Sequence, residues 1–242
     1  MMIFDAHVHI GQWGYEWYAK GFPYLEKSAG TNVDKAIIMP TDQKNNAGIL
    51  ETAKPFPDNL YPFAWVDPHD SQIMSFLENN IDNISGLKFH SSLDKIELGI
   101  TNILYKPYLG FANTHNLPIL VHCGRWQETA SYKFPLQIAE KYPDLKIICA
   151  HLGGDREDLK ILAPKAVKER DLKNIWFDIS ATREWWTIGM AIDEIGADKI
   201  IFGSDYPVMH PKMSIESVNV LNLSVEDQKK VFYKNIMGIL GI

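Results

Sequence analysis

The stretch MIFDAHVHI, residues 2–10, runs an apolar segment into two histidines two positions apart, His7 and His9, with Asp5 two residues before the first. Residues two apart on an extended strand share a face, so the two imidazoles point the same way. An isolated His-x-His near a chain start has two readings: a metal-binding pair, or two polar residues near a terminus. What decides between them is whether the run is one strand of a larger pattern.

Seven more runs of the same kind follow: DKAIIMP (34–40), LYPFAWVDP (60–68), ISGLKFH (84–90), LPILVHCG (117–124), LKIICAHLGG (145–154), NIWFDIS (174–180) and KIIFGSDYP (199–207). Most are short, β-branched and closed by Gly, Pro, Ser or Asp, which reads as buried strand. Between them lie polar segments with helical spacing, at 70–82, 131–142, 156–170 and 224–242. Pro135 and Pro164 are expected to weaken or shift two of the helix starts. Ser224 with Asp227 three residues on resembles a capping box. Strand and helix alternating eight times predicts an α/β chain, a single-domain (β/α)8 TIM barrel over residues 1–242. No Gly-x-Gly-x-x-Gly follows the first run, so a dinucleotide-binding sheet has no support.

The 242 residues are 46% hydrophobic, enough for one sizeable core, and the net charge of −6 disfavours nonspecific nucleic-acid binding. Cys123 and Cys149 sit inside apolar runs and read as buried thiols rather than a disulfide framework. No signal peptide and no membrane span are visible, so a cytoplasmic protein is expected.

In a barrel of this kind the chemistry sits where the strands end. The run ends carry His7 and His9, Lys88 and His90, His122, His151, and Asp205. His69 and His210 follow strand ends on loops, and only His115 looks like an ordinary helix-end residue. Several imidazoles buried in one mouth need partners. Imidazoles with a carboxylate and no thiolate cluster point to a catalytic divalent ion, zinc first, with manganese, iron or cobalt also suited.

DAHVHI, LKFH, LVHCG, CAHLGG and IIFGSDYP resemble, in order and spacing, the amidohydrolase superfamily, in particular its amidohydrolase-2, or aminocarboxymuconate-semialdehyde decarboxylase-like, branch. The resemblance runs from residue 2 to the C-terminus. It implies that His7, His9, His122 and Asp205 ligate one metal, that Asp205 also accepts a proton from metal-activated water, and that His151 orients that water or the substrate. It leaves Lys88 open. In binuclear relatives a carboxylated lysine bridges two ions, with His122 and His151 on the second; in mononuclear ones it faces substrate, as His90 could.

Arg125 and Trp126 after the fifth strand, Arg183, Trp185 and Trp186 after the seventh, and Trp13, Tyr15, Trp17 and Tyr18 after the first could line a pocket for a small, carboxylate-bearing substrate. The expected activity is metal-dependent hydrolysis. Non-oxidative decarboxylation, or hydration, of an unsaturated or aromatic acid is the alternative. A TatD-type nuclease fits less well, because Lys88 stands where such enzymes carry glutamate, and a non-catalytic barrel would not keep the whole polar set. The short loops suit a small substrate or a pocket completed by a second subunit, which leaves a homodimer open.

Overall fold

The computed structural model describes residues 1–12 and 33–242, and all eight expected strands are present in it. They are β1 (Phe4–Ile10), β2 (Lys35–Pro40), β3 (Leu60–Trp65), β4 (Gly86–Phe89), β5 (Ile119–Val121), β6 (Ile147–Cys149), β7 (Ile175–Asp178) and β8 (Ile200–Ile201). Each pairs in parallel with the next, in sequence order. The two ends of the sheet then meet. Val8 bridges Tyr206, and the amides of Ala6, His9 and Asp205 donate to the carbonyls of Phe202, Tyr206 and His7 at 3.0, 2.8 and 2.8 Å. Strands too apolar to face water on either side require this covered, parallel arrangement. It is a (β/α)8 barrel.

Helices lie between the strands that follow β2, among them Ile73–Asn79, Lys133–Lys141 and Glu157–Glu169. Pro164 does not shift the start of the last of these. It sits inside the helix and leaves the Lys160 carbonyl without its helical N–H donor. The C-terminal segment is helical from Val225 to Leu240, with a π-helical turn at Lys230–Lys234. Ser224 caps it by accepting from the Asp227 amide at 3.1 Å. Asp227 turns its carboxylate to the Ser224 hydroxyl at 2.8 Å, so the reciprocal backbone bond of a capping box is replaced by a side-chain one.

Phe4, Ala6, Ile37, Met39, Phe63, Leu120, Ile148 and Ile201 form the apolar filling of the barrel, and the last helix adds Ile236 and Ile239 to it. The alternate residues, such as Leu87, Phe89, Val121, Cys149 and Phe177, pack outward under the helices. Both cysteines are buried and free. Among the described residues no helix is long and apolar enough to cross a membrane.

One irregularity shapes β1. Asp5 pairs with Ala36 and Val8 with Ile38, so three steps along β1 match two along β2. Such a bulge re-aims the side chains that follow it. Phe4 and Ala6 belong to the barrel filling, while Val8 packs outward with Ile38 and Ile49. His7 and His9, on either side of Val8, are thereby turned to the centre of the mouth. Asp5 anchors the bend by accepting from the amides of Ser204 at 2.9 Å and His7 at 3.2 Å.

Candidate metal centre

The strands are shorter than their apolar runs. β4, β5, β6 and β8 stop at Phe89, Val121, Cys149 and Ile201, so His90, His122, His151 and Asp205 stand just beyond the ladders rather than on them. At two of these positions the backbone is left-handed, with φ of 58° at His151 and 63° at Asp205. That conformation cannot continue a strand and is costly for residues with a Cβ. Gly153, at φ 89°, completes the turn after β6. A Cβ there would stand 2.3 Å from that of Ala163.

At the centre, His7 Nε2 and His9 Nε2 are 3.2 Å apart, and Asp205 Oδ1 lies 3.4 and 3.5 Å from them. All three residues are buried. The hydrogen-bond network assigns the protons. His9 Nδ1 donates to the Pro40 carbonyl at 2.7 Å, and His7 Nδ1 donates to Asp178 Oδ2 at 2.9 Å. Both Nε2 atoms therefore present lone pairs to each other and to a carboxylate oxygen. The three atoms lie close enough together to share one ion, and two imidazoles with one carboxylate are a fitting donor set for a divalent metal. Lys88 Nζ, 3.3 Å from His7 Nε2, already brings a positive charge to the same place.

A second cluster of possible ligands, His7, His151 and Asp178, has a different character. Ser180 Oγ sits within it, 3.0 Å from His7 Nδ1 and 2.9 Å from His151 Nδ1, and donates to Asp178. Asp178 Oδ1 also accepts from the His151 amide at 3.0 Å. This cluster holds rings in place and fixes tautomers, the usual task of groups behind metal ligands. Asp178 and Ser180 stand outside the residues to which spacing and resemblance point. The signal was present in NIWFDIS: two polar residues two apart at the end of a strand share a face.

His122 does not join the group of three. Its Nδ1 lies 3.2 Å from His151 Nε2. His151 Nδ1 donates to the Ser180 carbonyl at 3.1 Å, so His151 Nε2 accepts and His122 keeps its own Nε2 lone pair. His90 is spoken for differently, its Nδ1 accepting from the Leu93 amide at 3.3 Å. Ring centroids then follow one another around the mouth: His7 to His9 at 5.2 Å, His9 to Trp65 at 6.3 Å, Trp65 to His90 at 5.2 Å, His90 to His122 at 3.8 Å, His122 to His151 at 5.1 Å, and His151 back to His7 at 5.2 Å. Five imidazoles and one indole close a ring.

Burial dominates the electrostatics. It holds His7, His9, His90 and His122 well below the usual histidine range, and the Lys88 charge lowers each further. His151 is held down to about 4 by burial, against the upward pull of Asp178. These rings are neutral at pH 7, as metal ligation requires. Burial pushes Lys88 down to about 8, opposed by Asp205 and Asp178, and pushes the Asp205 carboxyl well above its ordinary range, opposed by Lys88. A bound cation reverses the last of these by favouring the carboxylate.

The outer residues are less gathered. Arg125 is exposed and turned to Asp155, Nε to Oδ2 at 3.0 Å; Trp126 and Arg183 are exposed. Trp186 donates to Glu157 at 3.1 Å. Trp13, with Tyr15, Trp17 and Tyr18, lies outside the described residues. His69 reaches the Asp94 carbonyl at 3.1 Å, and His210 caps the helix Pro211–Asn219 by accepting from the Lys212 amide, so neither belongs to the ring.

Over residues 4–242 the chain matches the family described as amidohydrolase. It is 29% identical over 134 residues to the gamma-resorcylate decarboxylase of Polaromonas sp. (strain JS666), a match spanning 48% of this chain and 41% of that protein. The matched part is thus under half the length of that relative. Among solved structures, a dihydroxybenzoic acid decarboxylase from Polaromonas sp. JS666, with bound manganese and the inhibitor 2-nitroresorcinol, superposes with a TM-score of 0.75 at 15% identity, covering 99% of this chain and 96% of that one. A probable 2-pyrone-4,6-dicarboxylic acid hydrolase from Acinetobacter baumannii, with citric acid bound, superposes with a TM-score of 0.73 at 16% identity, covering 100% of both chains. At these identities the two structures speak for the shared barrel.

Proposed function

The chain belongs to the amidohydrolase family, and from that premise we propose that it is a metal-dependent hydrolase acting on a small carboxylate-bearing substrate at the barrel mouth. The observation that carries the reading is the convergence of His7 Nε2, His9 Nε2 and Asp205 Oδ1 as three possible ligand atoms in a buried site. These atoms would hold one divalent ion, with His122 as a further donor through its Nε2. The imidazole-rich set suits zinc, and manganese, iron and cobalt accept the same donors. When bound, such an ion supplies Lewis acidity to a substrate oxygen and lowers the pKa of water.

The chain's own residues do the rest. Asp205 takes the proton that water loses as its oxygen attacks the substrate carbonyl, then returns it to the departing oxygen or nitrogen. His151, locked by Ser180 and Asp178, orients the water or the substrate carbonyl. The Lys88 ammonium meets the substrate's carboxylate, which would favour its charged form at a site where burial opposes it. Arg125, Trp126 and Arg183 would supply outer contacts to the substrate. A carboxylated Lys88 bridging two ions is the competing arrangement. The hydrogen bond between His122 and His151 supports one ion, because it occupies atoms that a second ion would need.

A second reading, decarboxylation, is favoured by the sequence match to the Polaromonas gamma-resorcylate decarboxylase. There the bond from ring carbon to carboxylate breaks, its electron pair stays on the ring, carbon dioxide leaves, and protonated Asp205 delivers its proton to the ring carbon.

Both readings are tested together with metal-loaded protein, one sample given 2-pyrone-4,6-dicarboxylate and another 2,6-dihydroxybenzoate. Ring opening without gas release supports the hydrolase, and carbon dioxide with resorcinol supports the decarboxylase. No turnover of either substrate, nor of a wider set of small lactones and aromatic acids, sinks both.

A further inference from the structure

We infer that Trp65, anchored by Asp94, positions His122 by way of the His90 ring. The strand order β3-β4-β5 puts His90 between Trp65 and His122. Its ring is within 4° of parallel to the indole and within 9° of parallel to His122, with centroids 5.2 and 3.8 Å away. Its Nδ1 is occupied by the Leu93 amide. What His90 offers its neighbours is two flat faces rather than a ligand atom.

The far end of this column is fixed. Trp65 is fully buried, and its Nε1 donates to Asp94 Oδ1 at 3.2 Å. Asp94 is itself 3% exposed and held on both oxygens. Lys44 Nζ lies 2.7 Å from Oδ1, and Tyr105 donates to Oδ2 at 2.6 Å. Lys44 also pairs with Asp67 at 2.7 Å, which ties the loop after β2 to the loop after β3. A carboxylate with this many partners is a rigid post. The indole standing on it cannot tilt without breaking a charge-assisted bond in a dry site.

The near end is His122. One face of its ring is against His90, and its edge meets His151 at 3.2 Å. Stacking on one side and a hydrogen bond on the other leave the imidazole a single orientation. This is the work that a carboxylate or carbonyl does for His7 and His9 through their Nδ1 atoms. His122 has an aromatic column instead. Asp94 and Trp65 are therefore positioning residues, acting through His90.

The test reads His122 itself in the metal-free protein, using 15N-labelled histidine and long-range 1H–15N correlation. In the wild type, His122 shows one tautomer, protonated on Nδ1, and ring protons shifted upfield by the stacked neighbour. His90→Ala, at a half-buried position, is expected to abolish the upfield shift and average the two tautomers. His90→Phe restores a flat face without a nitrogen and is expected to keep both signatures. Trp65→Phe keeps a ring but loses the bond to Asp94, and is expected to give partial averaging. Overall packing defects would lower the melting temperature without distinguishing these variants by tautomer. An unchanged His122 signature in His90→Ala, or loss of the signature in His90→Phe equal to that in His90→Ala, overturns the inference. A wild-type signature in Trp65→Phe overturns the anchoring of the column by Asp94.

A second readout rests on the proposed ligand role of His122: affinity for Mn2+ is expected to fall about 10- to 100-fold in His90→Ala and to return in His90→Phe. Unchanged affinity in His122→Ala overturns that ligand role alone, while the tautomer measurement still decides the positioning.

Discussion

At the residue scale, the site depends on which nitrogen of each histidine carries a proton. Asp178 and the Pro40 carbonyl take the Nδ1 protons of His7 and His9 and so expose both Nε2 atoms. Asp178→Asn keeps the shape but removes the charge that favours this tautomer, so affinity for the metal is expected to drop about 10- to 100-fold, measured by titration of the metal-free protein with Zn2+ or Mn2+. His7→Ala removes a donor atom outright, and metal content per chain, measured by elemental mass spectrometry, is expected to fall below that of the wild type. Asp205→Asn keeps an oxygen that can face the ion but no longer accepts a proton. The fold and most of the metal are expected to survive while kcat falls about 10²- to 10⁴-fold, the usual share of a general acid–base group. Full activity in both His7→Ala and Asp205→Asn would falsify the proposed mechanism.

At the scale of elements, the site is made where strands stop. The strand pattern of the sequence is legible because each run is apolar on both faces, as a covered parallel sheet demands. The ends are not legible, because the same apolar residues continue past the last ladder bond. KIIFGSDYP reads as nine residues of one strand, and only Ile200–Ile201 pair as such before the chain bends into the left-handed turn at Asp205. The turn after β6 has the same logic, and there the glycine matters. Gly153→Ala forces a Cβ into a left-handed position, costing about 1–2 kcal/mol, and against the Ala163 methyl at 2.3 Å. A lower denaturation midpoint with a displaced His151 is expected, seen as weakened substrate turnover in the surviving folded protein. An unchanged midpoint would mean that the turn relaxes freely.

At the scale of the whole molecule, gathering five neutral histidines in one mouth couples stability to acid and to metal. His151 titrates at about 4 in the fold and near 6.5 in an unfolded chain. Above pH 6.5 both states hold it neutral and it contributes no pH dependence. As pH falls from about 6.5 toward 4 the unfolded chain takes up a proton that the folded one refuses, and stability drops by up to about 3 kcal/mol from this residue alone. His7, His9, His90 and His122 shift in the same direction. The metal-free protein is therefore expected to lose denaturation midpoint steadily over that interval. Metal at about 100 times its Kd adds about 2.7 kcal/mol at neutral pH, and chelation removes it. Equal midpoints at pH 7 and pH 4.5 without metal would contradict the buried, neutral state of the ring.

The sequence by itself determined the barrel and its eight strands. Apolar runs of strand length, alternating with helical segments, permit few other folds, and DAHVHI and GSDYP put His7, His9 and Asp205 in the first and last runs, which must lie side by side once the barrel closes. Tertiary structure alone decided how those residues act. The bulge at Asp5–Val8, the tautomers set by Asp178 and Ser180, and the column from Asp94 through Trp65 and His90 to His122 all join residues from different strands. Spacing along a chain fixes which face a residue takes. The proton on a ring nitrogen is fixed by whatever atom the fold brings opposite it, and that atom lies 171 positions away for His7 and Asp178.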